Sequence, residues 1–225
     1  MCGRFSLSTA IDLLAEHFEI TEMPENFMKR YNIAPTQPVV VISTHPERRL
    51  DFFRWGLIPS WAKDPSIGNR IINARAETIA EKPSFKRSFK KRRCLILADG
   101  FFEWKKEGKV KMPIHIRLKS KEPFAFAGLW DIWHSPDGEV IPSCTIITCE
   151  PNSLLKKFHH RMPVILTPDS YDAWLDHKIE DTDELLKLLK PYSAKSMEAF
   201  EVSTVVNSPA RDLPECILPI TEKRI

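Results

Sequence analysis

Apolar positions along the chain fall mostly in short alternating or continuous runs, and only a few stretches keep the three-and-four spacing of a helix. Runs at 39–43, 50–57, 94–97, 114–118, 124–129, 144–148, 164–166 and 202–206 are short and rich in Val, Ile, Leu and Phe, and each is predicted as a strand. Helical spacing appears at 9–18, where Ile11, Leu14, Ala15 and Phe18 share a face, and at 84–91, where Phe85 and Phe89 lie four apart. A third helix is expected at 168–175, with Thr167 as N-cap and Pro168 in the first turn. A fourth is expected at 183–189, led by Asp181 or Thr182. The 18 prolines are spread along the chain rather than gathered in a linker, and no internal repeat or low-complexity tract interrupts it. The expectation is an α+β fold in a single domain over 1–225, built on a curved, largely antiparallel β-sheet with a barrel-like core and scattered helices. The chain has neither a βαβ rhythm nor a glycine-rich phosphate loop, which argues against a nucleotide-binding α/β fold.

Composition narrows the classes. Hydrophobic residues are 43% and charged residues 28% of 225, close to a globular average and unlike a disordered chain. Lys plus Arg is 33 against 30 Asp plus Glu, so the chain is not uniformly basic. No apolar run approaches the roughly 18 residues of a membrane span. The five cysteines, Cys2, Cys94, Cys144, Cys149 and Cys216, are odd in number and lack C-x-x-C spacing. That pattern points to free thiols in a reducing compartment and not to a zinc site. With no basic and apolar leader at the start, a cytoplasmic location is expected, at the nucleoid when DNA-bound. Charge is nevertheless uneven. Residues 82–93 carry seven Lys or Arg and no acid, whereas 176–184 carry five acids. A basic run is ordinarily a solvated helix face, but the Trp- and Asn-containing stretch before it raises a nucleic-acid reading.

Four constellations carry candidate chemistry. Loss of Met1 would give Cys2 an α-amine beside its thiol, with reference pKa values near 8 and 8.5. Such a 1,2-aminothiol condenses with an aldehyde to an imine, which the thiol closes to a five-membered thiazolidine. The alternative is an incidental cysteine, but Gly3 allows close backbone approach and Arg4 offers a fork for phosphate. In Asn73-Ala74-Arg75-Ala76-Glu77-Thr78, an extended backbone would put Asn73, Arg75 and Glu77 on one face. Asn73 suits a hydroxyl or carbonyl and Arg75 a phosphate, while Glu77 reads as an ion-pair partner of Arg75. Glu103 stands among aromatics in Gly100-Phe101-Phe102-Glu103-Trp104, where burial would raise its pKa and suit it to proton transfer. Otherwise it would pair with Lys105 or Lys106 at the surface. In Phe158-His159-His160-Arg161-Met162-Pro163, two adjacent histidines in a strand would face opposite sides, so one is expected at a site. Trp55 reads as core. Trp61, in a proline-bounded loop, is the more exposed candidate for stacking on a base.

These segments, together with Met1-Cys2-Gly3-Arg4-Phe5, Tyr31-Asn32-Ile33-Ala34-Pro35 and Trp55-Gly56-Leu57, occur in an order that resembles the SOS-response-associated peptidase family. The resemblance spans 1 to about 167, with weaker similarity at 202–219. It implies a protein that senses abasic sites in single-stranded DNA and crosslinks itself to them through Cys2 as a thiazolidine, shielding the lesion. It implies a lyase-like activity, with peptidase activity restricted to removing Met1, which otherwise leaves through an aminopeptidase. It further implies Cys2, Asn73, Glu103 and His159 as catalytic residues, with Asn73 near the sugar, Glu103 taking a proton from the Cys2 amine and His159 acting at the ring oxygen. Arg4, Arg75 and Trp61 are the implied DNA contacts. The implied protein is a monomer with no metal or organic cofactor and no membrane partner. Two other readings stay open at this level. One is an N-terminal-nucleophile amide hydrolase using the same Cys2, and the other is a non-catalytic single-strand binder.

Overall fold

The computed structural model describes residues 2–22, 24, 26–44, 47–108 and 110–224, with the backbone alone for 107 and 221–224. In chain order the strands are β1 (Phe5–Leu7), β2 (Arg30–Ile33), β3 (Pro38–Ile42), β4 (Leu50–Trp55), β5 (Asn73–Arg75), β6 (Arg93–Ala98) and β7 (Gly100–Glu107). They continue as β8 (Val110–Leu118), β9 (Phe124–His134), β10 (Val140–Cys149), β11 (Met162–Pro163), β12 (Ile165–Leu166), β13 (Met197–Val202) and β14 (Pro219–Arg224). The helices α1 (Ile11–Phe18), α2 (Pro83–Lys91), α3 (Tyr171–Leu175) and α4 (Thr182–Leu186) pack around them.

Two sheets organise the molecule. In the first, β4, β3, β6, β9 and β10 pair in succession, and β10 returns to β4 in parallel through Ser143↔Arg54 and Cys144↔Trp55. That contact closes a five-stranded barrel, which leaves no open edge on those strands. The second is a curled antiparallel sheet in the order β14-β13-β8-β7-β1-β2. The expected α+β class with a barrel-like, largely antiparallel core is therefore what the chain forms. Among the described residues no helix is long and apolar enough to cross a membrane.

β1 ties the two sheets together. It pairs with β2 and β7, and its Phe5 ring meets Trp55 of β4 at 5.1 Å and Phe126 of β9 at 5.6 Å, both edge to face. Such aromatic pairs add about 0.5–1.5 kcal/mol beyond their burial. Four residues from the start of the chain, the backbone is thus already anchored in the core. The strand's polar side is held as firmly. Asp99 accepts from the hydroxyls of Ser6 and Ser8 and from the backbone N–H of Thr9.

Several expectations shift. The run at 202–206 ends β13 at Val202 and then turns into a 3-10 segment, Thr204–Asn207, because the Ser203 hydroxyl accepts from the Val205 N–H and starts a turn. The helix expected at 168–175 splits into a 3-10 turn and α3, and the Thr167 hydroxyl bonds Ser170 rather than capping. Asp181 does cap α4, through the N–H groups of Asp183 and Glu184. Phe85 and Phe89 bury one face of α2 as expected. The basic run is less available than its composition suggests. Arg93 is buried against Trp174 and Asp176 carbonyls, Arg92 pairs with Asp131, and Lys91 pairs with Glu180 of the acidic segment.

Candidate active site

The first strand aims Cys2 at the junction of the barrel and the curled sheet. Past the Phe5↔Phe101 pair, the Phe102 N–H still donates to Arg4 O at 3.0 Å, so the N-terminal segment runs alongside β7. Cys2 has no exposed surface and joins the main hydrophobic cluster. Its thiol contacts Arg4 O at 3.9 Å. Burial, reinforced by the nearby Glu103 carboxyl, pushes the thiol pKa well up, so it rests protonated.

Asn73 arrives from the barrel. The chain leaves β4 at Gly56, makes the excursion that carries Trp61, and returns to the same β10 edge as β5, with Asn73 opposite Ile146. From there the Asn73 Nδ2 donates to the Cys2 carbonyl oxygen at 2.8 Å. Its Oδ1 is buried and, among the described residues, has no hydrogen-bond partner. The extended stretch stops at Arg75. Ala76–Thr78 is a 3-10 turn, so Asn73 and Glu77 do not share a strand face. Glu77 is an ion-pair residue as expected, but its partner is Arg161, bound through both oxygens at 2.7 and 2.9 Å, and not Arg75. Arg75 itself is exposed.

Glu103 comes from β7. Strand alternation buries Phe102 in the small cluster with Phe200 and Val206 and turns Phe101 into the main cluster, where Cys2 lies. Glu103 follows on the Phe101 side and is 4% exposed. Burial raises its pKa to about 7, as the flanking aromatics led one to expect.

His159 lies in a loop after the 3-10 turn Leu155–Lys157, not in a strand. Its ring stacks on His160 at 4.3 Å instead of pointing to the opposite side. The Arg161 N–H donates to His159 Nδ1 at 2.9 Å. An Nδ1 that accepts a hydrogen bond carries no proton, so the neutral ring must hold its proton on Nε2. Burial lowers the His159 pKa to about 4. His159 and Glu103 line one cavity of about 410 Å3 with Trp104, Lys106, Lys111 and Asn207. A wider groove of about 970 Å3 continues from it past Lys105, Lys156, Lys157 and His160.

The expected DNA contacts divide. Trp61 is 59% exposed, whereas Trp55 is fully buried, as its sequence context suggests. Arg4 is only 9% exposed. Its Nη1 donates to Asn32 Oδ1 and Val206 O, each at 2.7 Å, and its guanidinium lies 5.8 Å over the Trp104 ring. Arg4 thereby links the N-terminal segment to the C-terminal one. Of the other lining residues, the sequence points to Lys106 only as a surface partner for Glu103, and it gives no site signal for Lys111 or Asn207. Asn207 follows a run that reads as a strand, and the lysines sit in an ordinary amphipathic hairpin pattern.

Residues 1–209 match the family model described as SOS response associated peptidase (SRAP). The chain is 49% identical over 221 residues to abasic site processing protein YoqW of Bacillus subtilis, covering 96% of this chain and 99% of that one. It is 37% identical over 223 residues to abasic site processing protein HMCES of Gallus gallus, covering 84% of this chain and 66% of that one. A crystal structure of a Bacteroides thetaiotaomicron protein superposes with a TM-score of 0.86 at 29% identity, covering 98% of this chain and all of that one. The chain belongs to the SOS response associated peptidase family.

Proposed function

We propose that this protein processes abasic sites in single-stranded DNA, as a monomer, by forming a covalent thiazolidine between Cys2 and the ring-opened sugar. The observation that carries the reading is the convergence of Asn73, Glu103 and Cys2 around the start of the chain, in a family whose similar members are named abasic site processing proteins.

With Met1 attached, the Cys2 nitrogen is an amide and cannot attack. Its removal exposes the amine, either by self-cleavage at the Met1–Cys2 peptide or through an aminopeptidase. The buried thiol rests protonated, so the amine is the first nucleophile. It adds to the C1′ aldehyde of the abasic sugar to give a carbinolamine, and expulsion of water leaves an imine. The thiol sulfur then bonds to C1′ while its proton passes to the nitrogen, closing the ring. One water is lost overall.

Each neighbour has a task in that sequence. A carboxyl with pKa about 7 takes the amine proton and returns it to the departing hydroxyl, so Glu103 serves in both directions near neutral pH. His159, neutral above about pH 4, donates a hydrogen bond from Nε2 to the ring oxygen that opens. This assigns polarisation to His159 and proton transfer to Glu103. Asn73 fixes the Cys2 carbonyl and offers Oδ1 to a sugar hydroxyl. Arg75 and Trp61 contact the strand, with the charge of buried Arg4 behind them. The amide-hydrolase reading uses the same Cys2 but gives no task to Trp61 or the basic groove.

The test is a heated denaturing gel with a single-stranded oligonucleotide bearing one abasic site. A shifted band is expected for the native protein and not for an intact strand or for Cys2→Ala. The Ala and Ser variants keep an α-amine, so each is expected to give an adduct only after borohydride traps the imine. A heat-stable adduct of Cys2→Ala without reduction would overturn the proposal.

A further inference from the structure

The β7–β8 hairpin pairs Glu103 with Ile114, Trp104 with Pro113, and then Lys106 directly with Lys111. Two lysines facing each other across an antiparallel ladder repel, at a cost of the same order as the gain from an opposite-charge pair. Among the described residues neither lysine has an ion-pair partner. Both line the cavity that holds Glu103 and His159.

Asn207 closes that cavity from the C-terminal segment. The Trp104 indole N–H donates to Asn207 Oδ1 at 2.7 Å. With Oδ1 engaged as acceptor, the amide is oriented so that Nδ2 offers its two N–H groups elsewhere. The segment is itself held in place, since Asn32 Nδ2 donates to Ser208 O and Arg211 O at 3.0 and 2.6 Å, and Arg4 donates to Val206 O. Two cations and an oriented amide donor, beside the carboxyl and imidazole of the reaction, leave an acceptor-rich anion as the complementary ligand.

We propose that Lys106, Lys111 and Asn207 form a phosphate subsite that takes the phosphodiester adjoining the abasic sugar. The subsite rests on the abasic-site reading for the identity of its anion. It would set which sugar along a strand stands over Cys2, by fixing the neighbouring phosphate, and bound phosphate would relieve the lysine repulsion.

The experiment separates this from the crosslinking chemistry by using a strand with a tetrahydrofuran in place of the abasic sugar, which cannot form an imine. Its affinity for the native protein and for Lys106→Gln/Lys111→Gln is measured by fluorescence anisotropy across salt concentrations. About a tenfold weaker binding at low salt is expected, with a slope of log K against log salt shallower by about 1. A neutral methylphosphonate is then stepped through the strand. Native protein should lose affinity most at one phosphate beside the lesion, and the double variant and Asn207→Ala should lose little further there. Without DNA, Lys111→Gln should raise Tm by about 1–3 °C as the repulsion is removed. Unchanged affinity and salt slope in the double variant, or an undiminished methylphosphonate effect in it, would overturn the subsite. A native protein that binds the tetrahydrofuran strand in this way but never links to an aldehyde strand would instead sink the crosslinking reading and leave the subsite standing.

Discussion

The Asn73 side-chain N–H donates to the Cys2 carbonyl oxygen at 2.8 Å, joining two residues 71 positions apart in sequence. One sits on the barrel edge and the other just ahead of the strand that plugs it. The bond fixes the peptide that would become the first of the processed chain, and so fixes where the Cys2 amine emerges. Asn73→Ala should fold, because the side chain is half-buried at a strand end, yet crosslink at least about tenfold more slowly. Asn73→Asp should be worse, since a carboxylate oxygen would face the carbonyl oxygen. Adduct formation timed on a denaturing gel, beside thermal melts, checks both. An unchanged rate in Asn73→Ala would remove its positioning task.

Glu103 makes stability and activity run in opposite directions with pH. Its folded-state pKa of about 7 stands above the unfolded value near 4.3, so between the two the folded state binds more protons. Stability from this group is complete at low pH and is lost as pH rises through about 7. Glu103→Gln should therefore gain about 1–3 kcal/mol over the native protein at pH 8 and almost nothing at pH 4. The same variant should crosslink slowly and lack a rate inflection near pH 7. Denaturant unfolding at the two pH values and rate profiles test the pair. Equal effects on stability at both pH values would contradict the raised carboxyl.

The ring nitrogen that carries the His159 proton is open to direct observation. Nitrogen NMR should find the Nε2–H form at pH 7, with titration well below the usual 6.5. The loop that supplies the Arg161 N–H is held by the Glu77–Arg161 pair. Glu77 is half exposed, so Glu77→Gln should cost only about 1 kcal/mol of stability. It should also move His159 toward a mixture of ring forms and slow crosslinking. A native ring with its proton on Nδ1 at pH 7 would contradict the assigned form, and titration near 6.5 would contradict the lowered pKa.

Gly100 is the point where β7 passes the buried His115 ring. A Cβ there would lie 2.2 Å from His115 Nε2, which is also 3.2 Å from the Ser6 hydroxyl of β1. Gly100→Ala should cost about 2–3 kcal/mol and loosen the N-terminal strand. Chemical denaturation measures the cost, and slower crosslinking should accompany it. Native-like stability would mean that the ring yields freely.

What was legible in the sequence depended on how local the signal was. Cys2 is conspicuous by position, Glu103 by its aromatic flanks, and the barrel strands by their apolar runs. Glu77 is recognisable as half of an ion pair, but its partner lies 84 positions away, while sequence proximity favours Arg75. Arg4 read as a phosphate fork because Asn32 and Val206, 28 and 202 positions distant, leave no local trace of their claim on it. The 3-10 segments after β13 have no period to detect, which hid Asn207. The basic run 82–93 overstates the exposed positive surface, because Arg93 is enclosed between the Phe89 and Lys90 carbonyls of α2 and the Trp174 carbonyl of α3, 81 positions away, which leaves no local trace.

Intact-mass measurement on the purified protein with one single-stranded abasic oligonucleotide tests the central chemistry most directly. The expected species weighs the protein without Met1 plus the oligonucleotide minus one water, survives heating, and is missing with Cys2→Ala. A native protein that has lost Met1 and still forms no such species, or a Cys2→Ala variant that forms it equally, would contradict the thiazolidine.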